Sequence, residues 1–163
     1  MPPPAPPAPP DPRPPTLVVD ADGCPVKNEV YRVGRRYGLK VILVANTQLG
    51  GPPMEGVERI VVRSGLDTAD DWIAEHVGPR DIVVTADIPL ASRCVAAGAR
   101  ALSPRGRVFT PDDVGDALAT RDLLTSLREG GVMTGGPPPF TPRDRSKFLQ
   151  KLDELVQAAL RAE

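Results

Sequence analysis

Asp20 and Asp22 close a short apolar run, Leu17-Val18-Val19, and are followed by Gly23, Cys24 and Pro25. Carboxylates at the end of a buried strand are costly unless a cation, a proton or a basic group meets them. Further acids stand at Asp67 and Asp70, around the start of a predicted helix, and at Asp87, just after another apolar run. Delivered from three chain segments to one edge, their oxygens would suit Mg²⁺ or Mn²⁺, which prefer carboxylates and retain several waters. Such an ion can activate water and stabilise charge on a phosphate during in-line displacement. Lys27, Arg93, Arg105 and Arg121 are the cations that could then contact the phosphate.

Each acid also has a plainer reading. Asp67-Thr68-Ala69-Asp70 fits a variant capping box. Asp87 can cap a helix starting at Ile88-Pro89, and Asp22 can cap the region that Pro25 opens. Asp20 has no such role, and the coincidence of all the acids is what favours a metal site. Cys24 lies near a helix N-terminus, where a thiol pKa falls. The lone histidine, His76, falls on an apolar helix face and reads as structural, so no Ser-His-Asp or Cys-His set can be assembled.

The elements that would carry these residues follow from punctuation and periodicity. Leu17–Val19 reads as a strand, with Pro25 suited to a first helical position. Val26, Val30, Val33 and Tyr37 recur at helical spacing, and Gly38 is a fitting stop. Leu39–Val44 is a second strand, so the unit implies a right-handed crossover and parallel pairing. Arg59–Val62, Asp81–Thr85 and Gly98–Leu102 read as further strands. In the helix around Asp70, residues Ala69, Trp72, Ile73, His76 and Val77 share one face, with Asp70 at its margin and Asp71 facing water. Asp87 to about Ala97 is the next helix. Thr110-Pro111-Asp112-Asp113 starts another that runs to about Arg128. Glycine- and proline-rich loops, Gly130-Gly131 and Thr134–Pro139, lead to a last helix capped by Thr141-Pro142, with Phe148, Leu149, Leu152, Leu155, Val156 and Leu160 on its packing face. The expectation is an α/β sandwich with a mostly parallel central sheet.

The chain has 163 residues, enough for one domain with a real core. Ten of its 21 prolines fall within residues 1–15, which read as a disordered, polyproline-like tail outside a domain spanning 16–163. A net charge of −1 gives no global attraction to nucleic acid, so any such binding needs a local basic patch. Two cysteines without a Cys/His cluster argue against structural zinc and a disulfide framework. No apolar run is long enough to span a membrane and no secretory pattern is evident, so the expected location is the cytoplasm.

Several blocks together resemble the YaiI/YqxD family of bacterial proteins. They are Val19-Asp20-Ala21-Asp22-x-Cys24-Pro25, Val44-Ala45-Asn46, Gly65-x-Asp67-x-Ala69-Asp70, Thr85–Ala91, Pro104-Arg105-Gly106 and Thr134-Gly135-Gly136-Pro137. Leu127-Arg128-x-x-Gly131 and Arg143-Asp144-Arg145 also fit, so the resemblance runs from about Thr16 into the last helix. Gly23 departs from the alanine the family often has there. The resemblance implies a PIN-like, three-layer fold whose acidic cluster binds Mg²⁺ or Mn²⁺ and hydrolyses RNA. By position it makes Asp20 the central acid with Asp22 beside it. Asp67 or Asp70 fills the helix position, Asp87 follows the fourth strand, and Asn46 and Thr85 are polar lining near the phosphate. The doubled Asp-x-Asp departs from the usual PIN pattern. It also permits a second enzymatic reading, a haloacid-dehalogenase-like phosphatase with Asp20 as nucleophile. Gly23-Cys24 and the lack of a clear lysine motif after strand four count against that one. A non-catalytic RNA- or protein-binding module is the third reading, for which six aromatics offer little base stacking.

Overall fold

The near-continuous apolar runs of the short strands dictate a sheet buried on both faces. A computed structural model describes residues 14–22, 24–62, 68–111 and 139–161. The tail as far as residue 13, Gly23, Gly65, Asp67, and residues 112–138, which include Arg121 and most of the loop ending at Pro139, lie outside the described residues.

The chain runs β1 (Thr16–Asp20), α1 (Lys27–Tyr37), β2 (Val41–Ala45), β3 (Val57–Val61), α2 (Thr68–His76), β4 (Asp81–Val84), α3 (Ile88–Ala96), β5 (Arg100–Leu102), β6 (Val108–Phe109) and α4 (Pro142–Arg161). The six strands form one sheet in the order β3-β2-β1-β4-β5-β6. Every pairing is parallel except β5 with β6. Leu17, Val19, Leu43, Ile82 and Val84 face α1 and α4, where Val30, Val33, Phe148, Leu152 and Val156 meet them. Val18, Val44 and Val83 face α2 and α3, against Ala69, Ile73, Leu90 and Cys94. The result is the three-layer α/β/α sandwich expected from the sequence. No helix among the described residues is long and apolar enough to cross a membrane.

Three details differ from the reading of the sequence. Pro25 and Val26 form a turn ahead of α1, which starts at Lys27 without a side-chain cap, so Pro25 is not at the first helical position. β6 is a two-residue strand, too short for any periodicity to announce it. His76, expected on the apolar face as a packed or partly exposed residue, is exposed and stacks on Trp72 at 4.0 Å. Gly38, with φ of 68°, ends α1 as expected.

The turn between β5 and β6 lies hard against α4. A Cβ at Gly106 would come within 2.7 Å of Lys147 Cγ and 3.0 Å of the Phe148 backbone nitrogen, and the residue has φ of +88°. Gly106→Ala therefore combines left-handed strain of about 1–3 kcal/mol with a backbone clash. We expect a urea midpoint shifted downward by at least that stability; an unchanged midpoint would contradict the close approach.

Candidate functional site

The register of β1 against β4 carries the first carboxylate to its partner. Val19 lies opposite Val84, so the next residues along, Asp20 and Thr85, meet at the carboxyl edge. There the Thr85 hydroxyl, almost completely buried, donates to Asp20 Oδ2 at 2.9 Å. The Thr85 hydroxyl oxygen in turn accepts from the Asp87 N–H at 3.0 Å. This edge lies where the strand order reverses, between β2-β3 on one side of β1 and β4-β5 on the other, the usual ligand position in open α/β sheets.

Asp22 is held differently. Its Oδ2 accepts from the Asn46 N–H at 2.7 Å and its Oδ1 from the Thr47 hydroxyl at 2.8 Å, latching the β1–α1 loop to the end of β2. Asn46 Oδ1 in turn accepts from the Ala69 N–H at 3.1 Å, tying in the first turn of α2 and leaving Asp70 half-buried beside it. Asp87 Oδ1 caps α3 by accepting from the Leu90 N–H at 3.0 Å. The capping reading of Asp87 is thus found, and that of Asp22 is replaced by a latch to β2. Asp71 is exposed, as expected, and pairs with Arg93 at 2.9 Å.

Burial holds the Asp20 carboxyl above the ordinary carboxylate range; the Thr85 hydrogen bond opposes this, and the charges of Asp87 and Asp22 add to it. The Asp20 carboxyl therefore feels both neighbouring acids at this edge. Cys24 departs from expectation: burial pushes its thiol up, outweighing the hydrogen bond of the Val26 backbone and the charge of Lys27. Buried Cys94 is pushed up to about 12. Neither thiol is primed as a nucleophile.

A cleft of about 510 Å³ opens beside Asp20. Asp20, Asp22, Cys24 and Pro25 form one wall, and Ala86 and Ile88 lie at its base. Ser103, Pro104, Arg105, Arg107 and Phe109, together with Phe140, form the other wall. Arg105, the expected phosphate contact, lines the cleft, with its guanidinium 2.9 Å from Asp144 and 3.5 Å from the Pro139 carbonyl. Lys27 opens α1, half-buried and away from the cleft lining. Thr85, Asn46 and Asp87 hydrogen-bond into the Asp20 and Asp22 seam and do not line the cleft. Arg107, Phe109 and Phe140 escaped the sequence reading, although the Pro104-Arg105-Gly106 turn lies directly beside Arg107.

α4 anchors the second wall. Thr141 and Asp144 form a reciprocal cap: the Thr141 N–H donates to Asp144 Oδ2 at 3.0 Å, and the Asp144 N–H donates to Thr141 Oγ1 at 3.1 Å. The first of these bonds leads in holding the Asp144 carboxyl below its ordinary range. Arg145 pairs with buried Glu29 of α1 and lies over the Phe140 ring at 5.3 Å.

Among the described residues no three His, Cys, Asp or Glu side chains come together as a metal-holding group. Asp20 Oδ1 and Asp87 Oδ2 nevertheless accept no hydrogen bond among those residues, whereas both oxygens of Asp22 are committed. Two hard oxygen donors are within what Mg²⁺ uses when water and substrate phosphate complete its shell, so the donor set fits such an ion.

The architecture and this edge define an α/β sandwich with an acidic switch-point cleft. The model of the uncharacterised YaiI/YqxD family matches residues 18–158. A UPF0178 protein of Bradyrhizobium sp. strain ORS 278 is 55% identical over 148 residues, 91% of this chain and 90% of its own. UPF0178 proteins of Nitrobacter winogradskyi and Azorhizobium caulinodans are 54% and 53% identical, covering 90% and 91% of this chain and 93% and 94% of theirs. The chain belongs to the YaiI/YqxD family.

Because the Asp20 carboxyl is raised in the folded state, the unfolded chain ionises first as pH climbs past the ordinary value of 3.8, and stability is lost from there through the folded pKa. Asp20→Asn keeps an oxygen for the Thr85 hydroxyl and removes that loss. In metal-free buffer we expect the variant to melt higher than wild type at pH 7, with the gain vanishing as the pH approaches 4. Calorimetric melts at the two pH values decide this, and a lower Tm for the variant at pH 7 would refute it.

Proposed function

We propose that this protein is a metal-dependent phosphodiesterase acting on RNA. The observation that carries the reading is the Asp20 carboxylate, desolvated at the switch point beside Asp87 and Asp22, facing a cleft whose far wall is basic. Asp20 and Asp87 would hold Mg²⁺ or Mn²⁺, which when bound supplies an activated water and neutralises developing charge on phosphate. Thr85 orients Asp20 and the backbone of Asp87 together, and Asp22 fixes the loop that forms the acidic wall. Asp70 and Asp67 are the remaining acids proposed to complete the ligand shell. Ile88 and Phe140 give the cleft apolar surface that excludes water around the phosphate.

The phosphatase reading draws less support. Asp22 would have to act as general acid, yet both of its oxygens accept hydrogen bonds at 2.7 and 2.8 Å and serve as a latch.

Mn²⁺ and Mg²⁺ titrations by calorimetry, with product analysis on single-stranded RNA, test the proposal. Wild type should bind the ion and cleave. Asp20→Asn and Asp87→Asn should each lower the cleavage rate by at least about 100-fold, the scale of losing a group that positions the reacting charge. Asp71→Asn, on the exposed Arg93 pair, should cleave as wild type does. Metal binding without RNA cleavage would shift the reading to phosphomonoester substrates, and trapping a phospho-aspartate at Asp20 would establish it. Absence of metal binding would leave a nucleic-acid- or protein-binding module.

A further inference from the structure

We infer that Arg107 is the residue that grips the substrate's phosphate, an inference that rests on the phosphodiesterase reading. An anion entering beside Asp20 and Asp22 meets two carboxylates and needs positive charge on the opposite wall. Two arginines of the β5–β6 turn stand there. Arg105 shares its charge with Asp144 at 2.9 Å and also reaches the Pro139 carbonyl. It ties the turn to α4. Arg107 lines the same cleft and has no carboxylate partner among the described residues.

Arg107 is also pre-organised. Its N–H donates to Ser103 Oγ at 3.0 Å, and its carbonyl accepts from the Ser103 N–H at 2.8 Å. Its guanidinium lies over the Phe109 ring, 5.9 Å from the centroid, a placement that fixes the plane without consuming its N–H donors. Phe109 is itself buried, and Gly106 presses the turn against α4. A planar donor set held by stacking and backbone, with its charge left for the cleft, suits bidentate contact with non-bridging phosphate oxygens. The cleft's volume of about 510 Å³ falls in the range of small-ligand sites, so a phosphate held by Arg107 lies within the same enclosure as Asp20.

The test compares wild type, Arg107→Gln and Arg107→Lys for binding of a labelled single-stranded RNA oligonucleotide by anisotropy with Ca²⁺ present, across a salt series. Cleavage in Mn²⁺ is followed in parallel. Arg107→Gln should weaken binding about 10- to 100-fold, the scale of a hydrogen-bonded ion pair. It should also flatten the log–log salt dependence by about 0.7, the value for one lost phosphate contact on a single strand. Arg107→Lys should recover part of the affinity and the full slope, which a purely structural role would not restore. Mn²⁺ affinity and Tm should stay at wild-type values. If wild type binds RNA without cleaving it and Arg107→Gln still loses affinity and slope, the reaction is wrong and the phosphate contact stands. Wild-type affinity and slope in Arg107→Gln, or no RNA binding by wild type, would overturn the inference.

Discussion

One buried hydroxyl reconciles the sheet with its charge. β1 is central, flanked by β2 and β4, and its apolar residues are inaccessible on both faces. A carboxylate at the end of such a strand loses much of its water, and Thr85 is the group placed by register to compensate it. Thr85 can do so because β4 ends one residue earlier, freeing its side chain at the edge. The same oxygen receives the Asp87 N–H and thereby sets where α3 begins. On the opposite side of β1, Asp22 performs the equivalent service for β2 through Asn46 and Thr47, and Asn46 extends it to α2. The carboxyl edge is thus a continuous polar seam from α2 to α3, and almost every donor in it is spent on structure. What the seam leaves uncompensated is charge.

The other half of the cleft depends on a helix remote in sequence. The β5–β6 turn is closed by Ser103 and Gly106, and Gly106 admits the α4 backbone where any side chain would collide. Arg105 and Asp144 add an ion pair across this contact, and Arg145 reaches Glu29 in α1. Partly exposed ion pairs contribute little to stability, so their effect here is chiefly one of placement. The burial of Phe148, Leu152 and Val156 supplies the energy that holds α4 down. Core packing on one face of the sheet therefore fixes the basic wall of the cleft.

The sequence was most informative where a pattern extended over many residues. The apolar runs of β1, β2 and β4, the glycine stop of α1 and the helically spaced packing face of α4 all satisfy local rules that tertiary packing reinforces. Asp20 was legible because a strand end has no structural use for an acid. Asp87 was ambiguous because an acid after a strand can simply cap the next helix, as its Oδ1 does for α3. One misreading has its cause in tertiary burial. Cys24 lies near a helix N-terminus, which lowers a thiol pKa, but desolvation of its half-buried side chain prevails. β6 and Arg107 escaped notice because a two-residue strand has no period and an arginine's value depends on which neighbours have already taken an acid.

The opposite charges of the two walls bear on what the cleft accepts. A surface built to hold RNA passively would gain from positive charge throughout, because every nearby carboxylate repels the backbone. Here Asp20 lies deep and raised, with Asp87 and Asp22 adding to its difficulty, while Arg107 stands across the opening. A purely anionic ligand satisfies one wall and aggravates the other. A cation alone does the reverse. On the proposed reading, a divalent ion and a phosphate entering together would satisfy both, each reducing the cost of the other's approach. On that reading, the stability that the burial of Asp20 costs would be recovered when both enter and would add to their affinity.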